Sequence, residues 1–191
     1  MKLTLMIILF SVVFQATAQE KFALYNDKIP NSINTDTARY NRNIPEIFVY
    51  KPSAALDKGM GVLIIPGGGY AHIAMDHEGH DVAKELNKAG FTAFVLKYRL
   101  PSPNIMVDKS IGPIQDAQRA MQYIRSGFPL LHKVGVIGFS AGGHLASTLL
   151  ISSKRGFIAN PSQLSLAPDF AGLIYPVISM TDAITHNGSR I

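Results

Sequence analysis

A serine between two glycines, in the run Gly138–Gly142 (GFSAG), stands where a predicted strand passes directly into a predicted helix. Because glycine has no Cβ atom, the strand and the helix can approach closely around Ser140 and hold it in a strained turn. The hydroxyl then projects above the sheet, and the positive end of the helix lies beneath any negative charge that forms on attack. A chance Gly/Ser turn is the alternative, but this context predicts that Ser140 is a nucleophile for acyl transfer.

A second glycine-rich segment, Pro66–Tyr70 (PGGGY), follows a continuous apolar run and has the composition of an oxyanion loop. Acyl transfer builds negative charge on a carbonyl oxygen, and backbone N–H groups aimed at that oxygen stabilise it. We expect one donor to be the Ala141 amide and another to come from Gly68 or Gly69, with the loop lying beside Ser140. A plain turn is one alternative. A phosphate-binding loop is the other, but the sequence lacks the lysine and the glycine spacing of such loops.

The histidines near these two segments are weaker candidates. His144 comes directly after the serine motif and before any acid of a triad, so its position predicts packing at a helix N-terminus. His72, His77 and His80 lie close to the glycine-rich loop, and the spacing of the last two raises a metal site as an alternative. Because no acid-rich surroundings support that reading, we expect no metal and no other cofactor.

Four further charged residues invite a catalytic interpretation. Asp182 and His186 follow Ser140 in the order acid then histidine. They lie on one predicted loop, however, which favours loop polar groups over an internal triad. Asp116 and Arg119, near the start of a predicted helix, are interpreted as a structural pair and not as a catalytic carboxylate and clamp.

The hydrophobic pattern supplies the elements that would position these groups, since continuous apolar runs indicate buried strands and 3.6-residue periodicity indicates helices. The predicted strands are Ile47–Tyr50, Gly61–Ile65, Phe91–Leu96, Val134–Gly138 and Phe170–Ile178. The predicted helices are Glu78–Ala89, Gly112–Arg125 and Ala141–Ile151. Their alternation predicts an α/β fold with a mostly parallel sheet and helices on both faces. Glu20–Arg42 is predicted to be polar and irregular.

The bulk composition is that of one globular domain, with 191 residues of which 47% are hydrophobic and 16% are charged. The formal net charge is +5, and no block of lysine and arginine stands out. Nucleic-acid binding is therefore not expected, because it requires a clustered basic surface. The chain has no cysteine, so packing and not a disulfide framework must stabilise it.

The N-terminus has the three parts of a secretory signal peptide: the basic Lys2, the apolar run Leu3–Phe14 and the small-residue site Ala16–Ala18. A membrane anchor is the alternative, but the apolar run is shorter than the about 20 residues that a spanning helix needs. We therefore expect a secreted or periplasmic protein with no membrane association after cleavage. The predicted organisation is a signal peptide (1–18), an irregular segment (19–43) and the N-terminal part of an α/β domain (44–191).

The motifs occur in an order that resembles one family. They are Ile65–Tyr70, Glu78–Gly79, Leu96–Leu100, Asp116–Ala120 and Gly138–His144. Over about residues 44–188 the chain resembles the bacterial α/β-hydrolases that include acetyl xylan esterases and BD-FAE-type feruloyl esterases, enzymes that deacylate plant hemicellulose. The set of motifs is far more specific than any single one of them.

The resemblance implies that Ser140 is the nucleophile and that the amides of Gly68, Gly69 and Ala141 form the oxyanion hole. It also implies an acid and a histidine after two further strands, which we expect beyond Ile191, so we expect at most trace activity from these 191 residues alone. The implied substrate is a small-molecule or polysaccharide ester, with acetyl or feruloyl groups on xylan-type hemicellulose. A serine peptidase on the same scaffold is one alternative. A hydrolase-like chain that only binds ligand is the other.

We predict that the mature protein begins at Gln19, because signal peptidase cleaves after a small-residue site such as Ala16–Ala18. N-terminal sequencing of the protein purified from its native host checks this. A mature chain that begins at Met1 would contradict the prediction.

Overall fold

The structure is a computed structural model that describes residues 19–26, 28–33 and 44–179. The predicted signal peptide (1–18) and the two loop candidates Asp182 and His186 lie outside the described residues. Within the part that the structure describes, no helix has both the length and the apolar character needed to cross a membrane.

Six strands of the described residues form one sheet. They are β1 (Glu20–Ala23), β2 (Glu46–Tyr50), β3 (Met60–Ile65), β4 (Thr92–Lys97), β5 (Lys133–Phe139) and β6 (Ala171–Ile174). The spatial order is β1-β2-β4-β3-β5-β6. Strands β4, β3, β5 and β6 are parallel, whereas β1 and β2 are antiparallel to their neighbours. The predicted mostly parallel sheet is confirmed.

Helices cover both faces of this sheet. They are α1 (Asp81–Lys88), which continues from a π-helical turn (Asp76–His80), α2 (Gly112–Gly127) and α3 (Ala141–Ile151). Alternate residues of the central strands point to opposite faces. Leu63 and Phe94 therefore join the core beneath α2 and α3, while Ile64 and Val95 join a smaller core beneath α1. The strands are apolar on both faces because both faces are covered.

The parallel strands end at one edge of the sheet, and this edge carries both predicted motifs. Ile65 at the end of β3 pairs with Gly138 near the end of β5, so the glycine-rich loop and the serine motif leave the sheet side by side. Two neighbouring strand ends thus bring together segments that lie about 70 residues apart in the chain.

Two predicted elements differ in the structure. Glu20–Ala23 was predicted to be irregular, which is wrong, because it forms the edge strand β1 against β2. All four residues of β1 are exposed, so the strand shows no apolar pattern that could reveal it. The strand predicted at Phe170–Ile178 is shorter, because Tyr175 has a φ of 34° and Pro176 follows it.

The predicted pairing of Asp116 with Arg119 is also wrong. Asp116 is fully buried on α2 and pairs with Arg99, which follows β4, through an Nη2–Oδ1 distance of 2.8 Å. Arg99 Nη1 also donates to the carbonyl of Pro30, and Tyr25 donates to Asp116 Oδ1. Arg119 instead donates to the carbonyl of Leu24. The buried pair therefore fastens the N-terminal segment to the sheet and to α2.

Replacing Asp116 with alanine should lower the free energy of unfolding by about 3–5 kcal/mol, since it leaves the buried Arg99 guanidinium without its partner. Urea denaturation followed by circular dichroism measures the change. The control is Glu85→Ala, which removes the exposed ion pair with Lys88 and should cost far less. Equal losses in the two variants would contradict the structural role of the buried pair.

Candidate active site

Ser140 occupies a sharp turn between the last residue of β5 and the first residue of α3. Its φ of 49° and ψ of −116° lie in a region that residues with a Cβ atom rarely adopt. Its N–H donates to the carbonyl of Ile174 at 3.0 Å, and its carbonyl accepts from the amides of Val177 and His144, both at 3.1 Å. These hydrogen bonds hold the strained backbone of Ser140 in place. Strained backbone conformations of this kind are found most often at functional sites.

The glycines of the serine motif are required by close packing. A Cβ atom on Gly142 would clash with the carbonyl oxygens of Ile65 and Pro66, and one on Gly138 would clash with the carbonyl of Gly142. The start of α3 therefore lies directly against the end of β3. The close strand–helix approach predicted from the sequence is confirmed.

The glycine-rich loop lies beside Ser140, as predicted. A Cβ atom built on Gly67 would stand 3.0 Å from the Ser140 Cβ atom and 2.7 Å from the carbonyl oxygen of Phe139. Gly68 has a φ of 121°, which glycine alone adopts readily, and its carbonyl accepts from the amides of Ala71 and His72. The loop backbone therefore turns back on itself directly beside Ser140, in a position where even a methyl group on Gly67 would clash.

The serine opens into a cavity of about 450 Å³. Its lining residues are Gly68, Gly69, Ala71, His72, Ala74, His77, Glu78, Ser140 and Tyr175. Ala141 is the first residue of α3, so its N–H has no acceptor inside the helix. Among the described residues the amides of Gly68 and Gly69 also have no protein acceptor. Two of these three unpaired backbone donors belong to residues that line the cavity, and the third directly follows Ser140.

Two cavity residues, Glu78 and Tyr175, carry no role in the sequence-based prediction. Glu78 Oε2 accepts from the Gly67 amide at 2.7 Å, and Glu78 Oε1 accepts from the Tyr175 hydroxyl at 2.5 Å. The second hydrogen bond, together with partial burial, raises the pKa of Tyr175 to about 12. The motif Glu78–Gly79 was the sequence signal that pointed to this position, but it did not reveal what the carboxylate contacts.

His72 and His77 line the same cavity as Ser140, but among the described residues no hydrogen bond joins a histidine side chain to the Ser140 hydroxyl. His144 Nδ1 shares a 2.8 Å hydrogen bond with the buried Tyr70 hydroxyl, and burial lowers the pKa of its imidazole. His80 Nδ1 lies 2.8 Å from the Tyr50 hydroxyl, and burial also lowers its pKa. His77 is largely exposed. Within residues 19–26, 28–33 and 44–179, no group of three or more acidic or histidine side chains is placed to hold a metal ion.

Replacing Gly142 with alanine should destabilise the protein by about 1–3 kcal/mol or more, because the new methyl group meets backbone that cannot move aside. The matched control is Gly127→Ala at the end of α2, where a Cβ atom meets nothing within 4 Å. That variant should be as stable as the parent or more stable by about 0.5–1 kcal/mol. Chemical denaturation compares the two, and similar stabilities would contradict the close approach of α3 to β3.

Known proteins resemble this chain in both sequence and fold. An acetylxylan esterase of Xylanibacter ruminicola is 36% identical over 137 residues, which are 70% of this chain and 26% of that protein. The chain spans about a quarter of the length of this esterase and of a second relative, an endo-1,4-beta-xylanase B of Butyrivibrio fibrisolvens.

Two solved structures place the fold. The acetyl ester-xyloside bifunctional hydrolase of Caldicellulosiruptor lactoaceticus has a TM-score of 0.71 and 34% identity, and the match covers 90% of this chain and 61% of that one. An α/β hydrolase from a Medee basin deep-sea metagenome library has a TM-score of 0.61 and 26% identity, with 91% and 62% covered. The BD-FAE family model matches residues 47–167, a range that contains both the glycine-rich loop and the serine motif. The chain therefore has an α/β-hydrolase fold and belongs to the BD-FAE family.

Proposed function

We propose that this protein is a serine carboxylic-ester hydrolase that removes acyl groups from xylan-type hemicellulose, with Ser140 as its nucleophile. The observation that carries the proposal is the strained Ser140 turn, which lines a cavity of about 450 Å³ together with Gly68 and Gly69. The names of the similar proteins, an acetylxylan esterase and an acetyl ester-xyloside hydrolase, support an acetylated sugar as substrate.

The proposed reaction is a two-step acyl transfer. Ser140 Oγ attacks the ester carbonyl and gives its proton to a base, and the carbonyl oxygen becomes an oxyanion. The amides of Gly68, Gly69 and Ala141 stabilise that oxyanion, each donor being worth about 3 kcal/mol in such a site. The sugar hydroxyl then leaves with a proton, and water releases the carboxylic acid from the acyl-enzyme.

The base is proposed to be a histidine that follows residue 179, in keeping with the chain order serine, acid, histidine of this fold. His144 fits a packing role instead, because its Nδ1 is occupied by the Tyr70 hydroxyl inside the core. His144 also follows Ser140 by only one helical turn, so in the chain it would come before the acid of the triad and not after it.

Replacing Ser140 with alanine in the protein expressed from the complete gene should lower kcat for p-nitrophenyl acetate and for acetylated xylan by on the order of 10⁶-fold, because the nucleophile is lost. Ser147→Ala on the same helix is the matched control. Ser147 donates only to the carbonyl of His144, so the control should retain near-parental rates.

A comparison of substrates distinguishes an esterase from a serine peptidase. Acetylated xylan, feruloylated xylan oligosaccharides and a peptide anilide are compared at equal enzyme concentration. Hydrolysis of the anilide in preference to both esters would favour a peptidase and contradict the proposal. Retention of esterase activity by Ser140→Ala would remove Ser140 from the mechanism.

A further inference from the structure

Glu78 links the two sides of the cavity. Its carboxylate accepts from the Gly67 amide through one oxygen and from the Tyr175 hydroxyl through the other. Gly67 belongs to the glycine-rich loop, whereas Tyr175 directly follows β6. The side chain of Glu78 is only 12% exposed and its hydrogen bond with Gly67 is partly buried, whereas Tyr175 is exposed.

The first of these hydrogen bonds fixes the loop at the point nearest to the serine. Gly67 is the loop residue whose Cβ position would lie 3.0 Å from the Ser140 Cβ atom. Its N–H points to Glu78 and its carbonyl accepts from the Ala74 amide, so both sides of this residue are held. The next two amides, those of Gly68 and Gly69, belong to the cavity lining and have no acceptor among the described residues.

The backbone around Glu78 is irregular, and Glu78 lies on this irregular turn at the wall of the cavity. Residues Asp76–His80 form a π-helical turn before α1, and the His80 amide donates to the carbonyl of Met75 at 2.7 Å. Such turns are uncommon and are frequent at functional sites. The irregular turn is an observation independent of the hydrogen bonds, and it places Glu78 at the cavity wall.

We propose that Glu78 is a positioning residue, which holds the oxyanion loop in its active shape by accepting from the Gly67 amide while Tyr175 keeps the carboxylate in place. The inference rests on the proposed function and assigns Glu78 no contact with the substrate. It makes the hydrogen-bond acceptor the essential feature of Glu78. A negative charge beside a developing oxyanion opposes its formation, so the charge itself contributes nothing favourable.

Two variants of Glu78 test separately the length of its side chain and its charge. Both are made in the protein expressed from the complete gene. Glu78→Gln keeps the length of the side chain and a carbonyl oxygen for the Gly67 amide, and it loses the charge. Glu78→Asp keeps the charge but shortens the side chain by one methylene, which withdraws the acceptor from the amide. Tyr175→Phe removes only the second hydrogen bond. Glu85→Ala on the exposed side of α1 is the control.

The expected result is a kcat for p-nitrophenyl acetate that stays within about threefold of the parent in Glu78→Gln and falls about 10²-fold in Glu78→Asp, the size of effect that loss of one oxyanion donor produces. KM should change little, because the amides act on the transition state and not on bound ester. Tyr175→Phe should lower kcat by less than about tenfold, since the Gly67 hydrogen bond remains. Thermal melting confirms that each variant is folded.

The opposite pattern overturns the proposal. If Glu78→Gln loses as much kcat as Glu78→Asp, or more, the charge is required and Glu78 has a direct chemical role. If Glu78→Asp matches the Glu85→Ala control while Ser140→Ala is inactive, Glu78 does not position the loop and the proposed function still stands. If Ser140→Ala remains active, the proposed function itself fails, whatever the Glu78 variants do.

Discussion

The site depends on one constraint, which is the contact between backbone atoms of β3, β5 and α3 without side chains between them. Gly142 lies against the carbonyl oxygens of Ile65 and Pro66, and Gly67 lies against the carbonyl of Phe139. Because bare backbone packs there, the donors at the start of α3 and in the glycine-rich loop reach the same small volume. A single methyl group at this junction would push the Ser140 turn and the glycine-rich loop apart.

The rest of the fold serves to make that junction rigid. The parallel register of β3 and β5 sets Ile65 opposite Gly138, which fixes where both segments leave the sheet. The cores on the two faces hold the sheet itself, while the buried pair of Arg99 and Asp116 ties the N-terminal segment to α2. Breaking such a pair leaves a buried charge without its partner, so the pair opposes separation of these segments once they have met.

The sequence was sufficient for features whose signal is local. The serine motif, the glycine-rich loop and the helix Ala141–Ile151 each carry their own pattern within a few residues, and the structure has the loop beside the serine and the helix as predicted. Contacts between distant segments could not be predicted in this way. Nothing near Glu78 indicates that Tyr175 will reach it, and the proximity of Arg119 to Asp116 in the chain suggested the wrong partner.

The two strand predictions that differ have the same kind of cause. β1 is an exposed edge strand, held by main-chain pairing with β2, and main-chain pairing leaves no mark on the residue types. The apolar run after Phe170 continues past the end of β6, because the backbone of Tyr175 and Pro176 ends the strand, and the Val177 amide then donates to the Ser140 carbonyl. In both places a long-range backbone contact overrides what the side chains indicate.

The dependence of Ser140 on the end of β6 also bears on the order of folding. The Ser140 amide donates to the carbonyl of Ile174, and the Val177 amide donates to the Ser140 carbonyl, so two of the three backbone hydrogen bonds on the strained turn form only after a later part of the chain has docked. During synthesis from the N-terminus, β5 and α3 emerge before those partners exist, and the serine turn is free to relax. Closing that long loop is entropically costly and slow compared with forming α3. The strained turn therefore gains its full set of hydrogen bonds only after β6 has paired with β5, and local unfolding at β6 would remove two of them.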